Sequence, residues 1–196
     1  MRGVPPIFDI VVCPPLTIQE STRFAGPLGG HFGQKASAVV PGANPNPGKI
    51  HRNLKWLPYY EGDISATTQT CDVLTGPMSG CPLVRYLHAG QIHVGHIGTV
   101  LGQVAVNAAV TGLWNAFALA NPGSVLGGFN PFGAGVPLPP AAIGQDSVAR
   151  IWGLITTAGG FFSVQVYQQL NQANYYRVAA VHAVPSMTLA QLQALH

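Results

Sequence analysis

Formal charge is scarce in this chain of 196 residues: nine Lys and Arg and six Asp and Glu amount to 8%, where soluble proteins average ~25%. That excludes an acidic or basic disordered polypeptide, a charge-laced coiled coil, and a nucleic-acid binder working through a dense cationic face. The net charge of +3 is too small to point to a partner. Cysteine is also sparse. Cys13, Cys71 and Cys81 cannot all pair with one another and are too few for a disulfide-stapled scaffold, so at least one is expected to be a thiol. No secretory signal peptide is visible, because prolines cut short the apolar run Ile7 to Cys13. The expectation is a soluble protein, released by a route without a signal peptide or delivered into a target cell. No internal repeat is found.

Glycine (24) and proline (17) are abundant and the apolar fraction is 47%, a composition for short strands and many turns around one core. The length fits a single domain over residues 1–196. Long Gly/Pro-rich loops are expected at 24–50 and 121–145. Strands are expected at Ile7 to Cys13, Leu54 to Leu57, Thr68 to Leu74, Ala149 to Thr156, Phe161 to Gln168 and Tyr175 to Val184. Pro82 to Leu87 and Gln91 to Ile97 read as a hairpin closed near His88-Ala89-Gly90.

Thr99 to Ala120 reads as a helix buried on most sides, with Thr99, Gln103, Asn107, Thr111 and Asn115 recurring every four positions as one narrow polar stripe. It carries no charge, but its polar residues and glycines favour a core helix over a membrane span. A short helix at Thr188 to Leu195 follows. The fold class is α+β: a mixed or antiparallel sheet layered with helices.

The chemistry is expected around Thr75-Gly76-Pro77-Met78-Ser79-Gly80-Cys81. Two glycines and a proline before a cysteine make a tight turn, leaving backbone N–H groups near Ser79 and Gly80 to stabilise a thiolate or an oxyanion. A nucleophilic thiol needs a base, and His88, His93 and His96 follow. A hairpin centred between His88 and Ala89 would set position 96 opposite 81, which ranks His96 first and His93 second. A bulge at Gly95 or a longer loop reverses that order. No carboxylate lies between Asp72 and Asp146, so the imidazole is expected to be oriented by a backbone carbonyl or by a hydroxyl such as Thr75. The rival readings are an inert thiol, a Cys71–Cys81 disulfide, and a metal site built from these histidines and Cys81.

Met78-Ser79-Gly80-Cys81 resembles the Leu-Ser-Gly-Cys motif of the Cys-His glutamine deamidase toxins, the cytotoxic necrotizing factor catalytic domain and Burkholderia lethal factor. Thr75 falls at the position of an active-site threonine of the lethal factor, and Trp56-Leu57-Pro58 is similar to a segment preceding the same motif. His96-Ile97-Gly98-Thr99 is similar to the His-Thr-Gly-Thr run of the necrotizing factors, whereas His93 sits at the lethal factor's distance from the cysteine. The resemblance spans about residues 54 to 99 and implies a sandwich of mixed β-strands with outer helices.

It further implies a protein-glutamine deamidase with Cys81 as nucleophile, His96 or His93 as acid and base, and Thr75 in support. The partner would be a host or competitor protein carrying the target glutamine, with no cofactor, resident metal, nucleic acid or membrane span. The alternatives are a non-catalytic binding module of the same fold, with Phe129-Asn130-Pro131-Phe132 as a contact, or a Cys/His metal-site protein.

Overall fold

The structure, a computed structural model, describes residues 10–11, 24–25, 31–33, 54–133, 147–169 and 175–196, with side chains described for 54–133, 149–166 and 180–196. These residues form a mixed α+β fold of two sheets and two α-helices. The first sheet contains β1 (Ile10–Val11), β4 (Leu54–Trp56), β6 (Asp72–Thr75), β10 (Ser147–Ile155), β11 (Phe161–Gln169) and β12 (Tyr175–Ala183), in the order β1-β12-β11-β10-β6-β4. The second contains β2 (Phe24–Ala25), β3 (His31–Gly33), β5 (Ile64–Thr68), β7 (Leu83–His88), β8 (Gln91–Ile97) and β9 (Val125–Phe129), in the order β2-β3-β5-β8-β7-β9. Most neighbours are antiparallel; β4 with β6 and β3 with β5 are parallel.

The period of two in each strand divides its side chains between layers. Leu83 of β7, Val94 of β8 and Phe129 of β9 meet Val73 of β6, Ile151 and Ile155 of β10 and Phe161 of β11 between the sheets, with Leu57, Met78 and Cys81 in the same buried cluster. On the other face of the second sheet, Ile64, Val84, Tyr86 and Ile97 pack against Val110, Trp114 and Phe117 of α1 (Val104–Ala120). The short α2 (Leu189–Leu192) closes that layer. Thr188 caps it with a reciprocal capping box to Gln191, and its Leu192 carbonyl accepts from Trp114 Nε1 at 2.6 Å.

Several expectations change. Residues 68–74 are not one strand: β5 ends at Thr68, the chain turns through Gln69 to Cys71, and β6 begins at Asp72. The Gln69 N–H bonds the Ile92 carbonyl across the sheet, which fixes that turn. The 121–145 stretch is not wholly a loop, because Val125–Phe129 adds β9 to the edge of β7. Residues 24–50 contain β2 and β3; the remainder of that stretch, residues 134–146 and Cys13 lie outside the described residues.

The long helix starts at Val104, five residues later than its periodicity suggests, because Val100 to Gln103 form a turn with Gly102 at φ +76°. It is buried on one face only. Ala105, Ala108, Ala109, Gly112 and Ala116 face outward, while the expected polar stripe is satisfied inward. Thr111 Oγ1 donates to the Asn107 carbonyl, and Asn115 exchanges two hydrogen bonds with the Leu195 backbone. No helix among the described residues is long and apolar enough to cross a membrane.

One glycine governs how the 57–63 segment lies on the second sheet. A Cβ at Gly98 would collide with the carbonyl oxygens of Tyr60 and Asp63, while the Gly98 N–H and carbonyl bond Asp63 and Gly62 at 2.9 and 2.7 Å. Gly98→Ala is therefore expected to destabilise the fold by about 2–3 kcal/mol through overpacking against unyielding backbone. A urea unfolding midpoint equal to that of wild type would contradict this close approach.

Candidate active site

The site is assembled by a hairpin and by the facing sheet. The β7–β8 turn is Ala89-Gly90, with φ of +48° and +75°, the conformation of a tight two-residue hairpin turn. It pairs His88 with Gln91 and Leu83 with His96, so position 96 lies opposite 83 and not opposite 81 as the sequence reading had it. The register differs by two residues, one full strand period, and His96 therefore keeps the face it was expected to have. Cys81 sits just before β7, where the Pro82 carbonyl accepts from the Ile97 N–H at 3.0 Å.

His93 is placed differently. It is three residues from His96, an odd number, and so points to the opposite face, where its ring stacks on Tyr86 at 5.5 Å and meets His88 at 6.0 Å beneath α1. That geometry removes His93 as the partner of Cys81 and separates His88 and His93 from any joint metal site with Cys81. Among the described residues no three His, Cys, Asp or Glu side chains converge to hold a metal ion. Cys71 and Cys81 are both thiols, which sets aside the disulfide reading.

His96 projects into the layer between the sheets and is 1% exposed. Its Nδ1 lies 2.8 Å from Thr75 Oγ1, on β6 of the facing sheet. The bond is made in one of two ways: Nδ1–H donates to Thr75 Oγ1, or the Thr75 hydroxyl donates to an unprotonated Nδ1. His96 Nε2 is buried and has no hydrogen-bond partner among the described residues. The Tyr59 ring lies tilted against the imidazole, with centroids 5.2 Å apart. Burial lowers the His96 pKa to about 3, so the resting ring is neutral.

Cys81 is also 1% exposed. Its thiol donates to the Thr99 backbone carbonyl at 3.4 Å and accepts from Thr99 Oγ1 at 3.3 Å. The Tyr59 hydroxyl donates to the same Thr99 carbonyl at 2.8 Å. Burial, then the nearby Cys81 and Glu61, push the Tyr59 hydroxyl above its usual range, which keeps it a donor. In this closed arrangement Cys81 and His96 share Tyr59 as a neighbour but are not hydrogen-bonded to each other.

The turn before Cys81 is held on both sides. Gly76-Pro77 is a cis peptide, the Met78 N–H donates to the Ile151 carbonyl at 2.7 Å, and Gly80 has φ +111°. The Gly80 carbonyl accepts from Asn130 Nδ2 at 3.0 Å. Among the described residues nothing accepts from the backbone N–H groups of Ser79, Gly80 or Cys81, and nothing lies within 4 Å of where a Gly80 Cβ would be. The turn therefore offers unengaged donors on an open side.

Tyr59, Thr99 and Asn130 are the contributors that sequence reasoning missed. Tyr59 and Thr99 flank motifs already singled out. Asn130 lies in the Phe129–Phe132 segment expected as a contact, of which Phe129 is wholly buried in the core and Phe132 is exposed.

The buried imidazoles make stability depend on pH. An unfolded histidine titrates near ~6.5, whereas folded His96 titrates at about 3. Between those values the unfolded chain binds more protons, so stability is full above the unfolded value and is lost as pH falls toward the folded one, by on the order of 5 kcal/mol over the whole window. Half-buried His93 is lowered in the same direction, chiefly by burial and then by His88. Urea midpoints measured across this range should fall steeply with acid in wild type and less steeply in His96→Asn; equal slopes would contradict a neutral buried His96.

Comparison with known families, curated proteins and solved structures finds no match to this chain.

Proposed function

We propose that this protein is a glutamine deamidase acting on protein side chains, with Cys81 as the nucleophile and His96 as the proton carrier. The observation that carries the reading is the Thr75–His96 hydrogen bond. It fixes one ring nitrogen and leaves the other, Nε2, unengaged in the layer that also holds Cys81. With the proton on Nδ1, Nε2 is a base. The resemblance of Met78-Ser79-Gly80-Cys81 to the deamidase toxin motif and the two-sheet α+β architecture support the same reading.

The Cys81 S–H proton passes to His96 Nε2, and the sulfur attacks the carboxamide carbon of a target glutamine. A C–S bond forms and the C=O electron pair moves to oxygen, where N–H groups of the Ser79–Cys81 turn receive the charge. The imidazolium forms only beside this new negative charge, which offsets the desolvation that keeps the resting ring neutral. On collapse His96 returns its proton to the departing nitrogen, releasing ammonia and leaving a thioester. Water then gives a proton to His96 as it adds to the thioester, and His96 passes that proton to the sulfur as the C–S bond breaks, yielding glutamate, the Cys81 thiol and a neutral imidazole. The product is a carboxylate where a neutral amide stood, a charge switch on a host or competitor protein. No cofactor enters these steps.

The test is peptide mass spectrometry of glutamine-to-glutamate conversion after incubation with a eukaryotic or a bacterial lysate. Cys81→Ser should abolish conversion, and His96→Ala should reduce it by about 10²–10⁴. Thr75→Val, which removes one orienting hydrogen bond, should reduce it about tenfold. Conversion that survives Cys81→Ser, or no conversion in either lysate, would contradict the reading and favour a binding module.

A further inference from the structure

The Cys81 thiol has its hydrogen bonds with Thr99 and none with His96. We propose that Thr99 is a positioning residue of this site, its hydroxyl being the donor that holds the negative charge as it develops on the Cys81 sulfur. This rests on the nucleophilic role of Cys81 proposed above and adds to it a residue and a division of labour.

The geometry is specific. Thr99 Oγ1 donates to Sγ at 3.3 Å while the Thr99 carbonyl receives the S–H at 3.4 Å, so one residue grips the sulfur by both of its hydrogen-bonding functions. The backbone there is fixed from three directions. The Tyr59 hydroxyl donates to the Thr99 carbonyl at 2.8 Å, the Thr99 N–H bonds the Ile97 carbonyl at 2.9 Å, and Asn107 clamps the next residue by accepting from Val100 N and donating to Val100 O at 2.7 and 3.0 Å. Asn107 belongs to the first turns of α1, so the helix anchors the grip.

Loss of the S–H proton removes the bond to the carbonyl but keeps the hydroxyl donor, which then faces a charged acceptor and strengthens. The Tyr59 hydroxyl engages the carbonyl oxygen that would otherwise face the thiolate unopposed. Among the described residues Tyr59, with Glu61 beyond it, and His96 are titratable side chains near this site, and the resting forms of Tyr59 and His96 are neutral. In the resting site the donor to the Cys81 sulfur among the described residues is the Thr99 hydroxyl, and it is the group a nascent thiolate meets.

The test reads the sulfur directly. Protein labelled with ¹³C at cysteine Cβ is titrated by NMR, which needs no access for a reagent and separates Cys81 from Cys13 and Cys71, each assigned by its own substitution. Thr99→Val keeps the shape and the backbone carbonyl; it should move the Cys81 titration about one pH unit upward, roughly a tenfold loss of thiolate at neutral pH. Thr99→Ser, which restores the hydroxyl, should return it to the wild-type position, and Cys71 should not move in either variant. A Cys81 titration unchanged or lowered in Thr99→Val would overturn the proposal. So would Thr99→Ser behaving as Thr99→Val. Neither result depends on glutamine conversion, so this proposal and the deamidase reading fail separately.

Discussion

The 2.8 Å hydrogen bond between Thr75 and His96 spans the two sheets, and the arrangement of the site depends on it. Thr75 comes from β6 of one sheet and His96 from β8 of the other, and both are 1% exposed. Placing two polar side chains beside Val73, Leu83, Val94, Phe129, Ile151 and Phe161 is unfavourable unless they satisfy each other. They do so at one nitrogen of the imidazole. Among the described residues the other nitrogen is buried without a partner.

Around that bond, backbone does most of the positioning. Gly98 brings the Tyr60–Asp63 carbonyls onto the end of β8, which sets Tyr59 between the imidazole and the Thr99 carbonyl. Gly80, at positive φ and tied by its carbonyl to Asn130, aims the chain into β7 so that Cys81 enters the buried layer. Asn107 closes the remaining side by binding the Val100 backbone from α1. Sheet, hairpin turn and helix start each hold one part of a small polar cluster.

Much of this frame was legible in the residues. Alternating patterns located the hairpin and the three long strands after residue 147 closely, because strand period and turn chemistry are local properties. The histidine facing the inner layer could be ranked because a register error of two leaves parity intact, and the observed error was two. The absence of carboxylates between Asp72 and Asp146 pointed to a backbone carbonyl or a hydroxyl such as Thr75 as the orienting group, and the Thr75 hydroxyl is the one that meets the imidazole.

What escaped was non-local. The pairing of β6 with β10, which carries Thr75 to the inner face, joins segments about eighty residues apart. Tyr59, Thr99 and Asn130 act through contacts that no spacing encodes. The polar stripe of α1 misled because asparagine and threonine can turn inward to satisfy backbone while alanine faces solvent.

Taken together, these contacts describe a neutral pair: a thiol held by a hydroxyl and a carbonyl, and an imidazole kept uncharged by burial. The mechanism requires the His96 proton to sit on Nδ1, donated to Thr75, with Nε2 unprotonated. The ¹⁵N chemical shifts of the His96 ring at neutral pH read this directly. The account predicts a neutral ring with a protonated Nδ1 and a bare Nε2; a ring protonated at Nε2, or at both nitrogens, would contradict it.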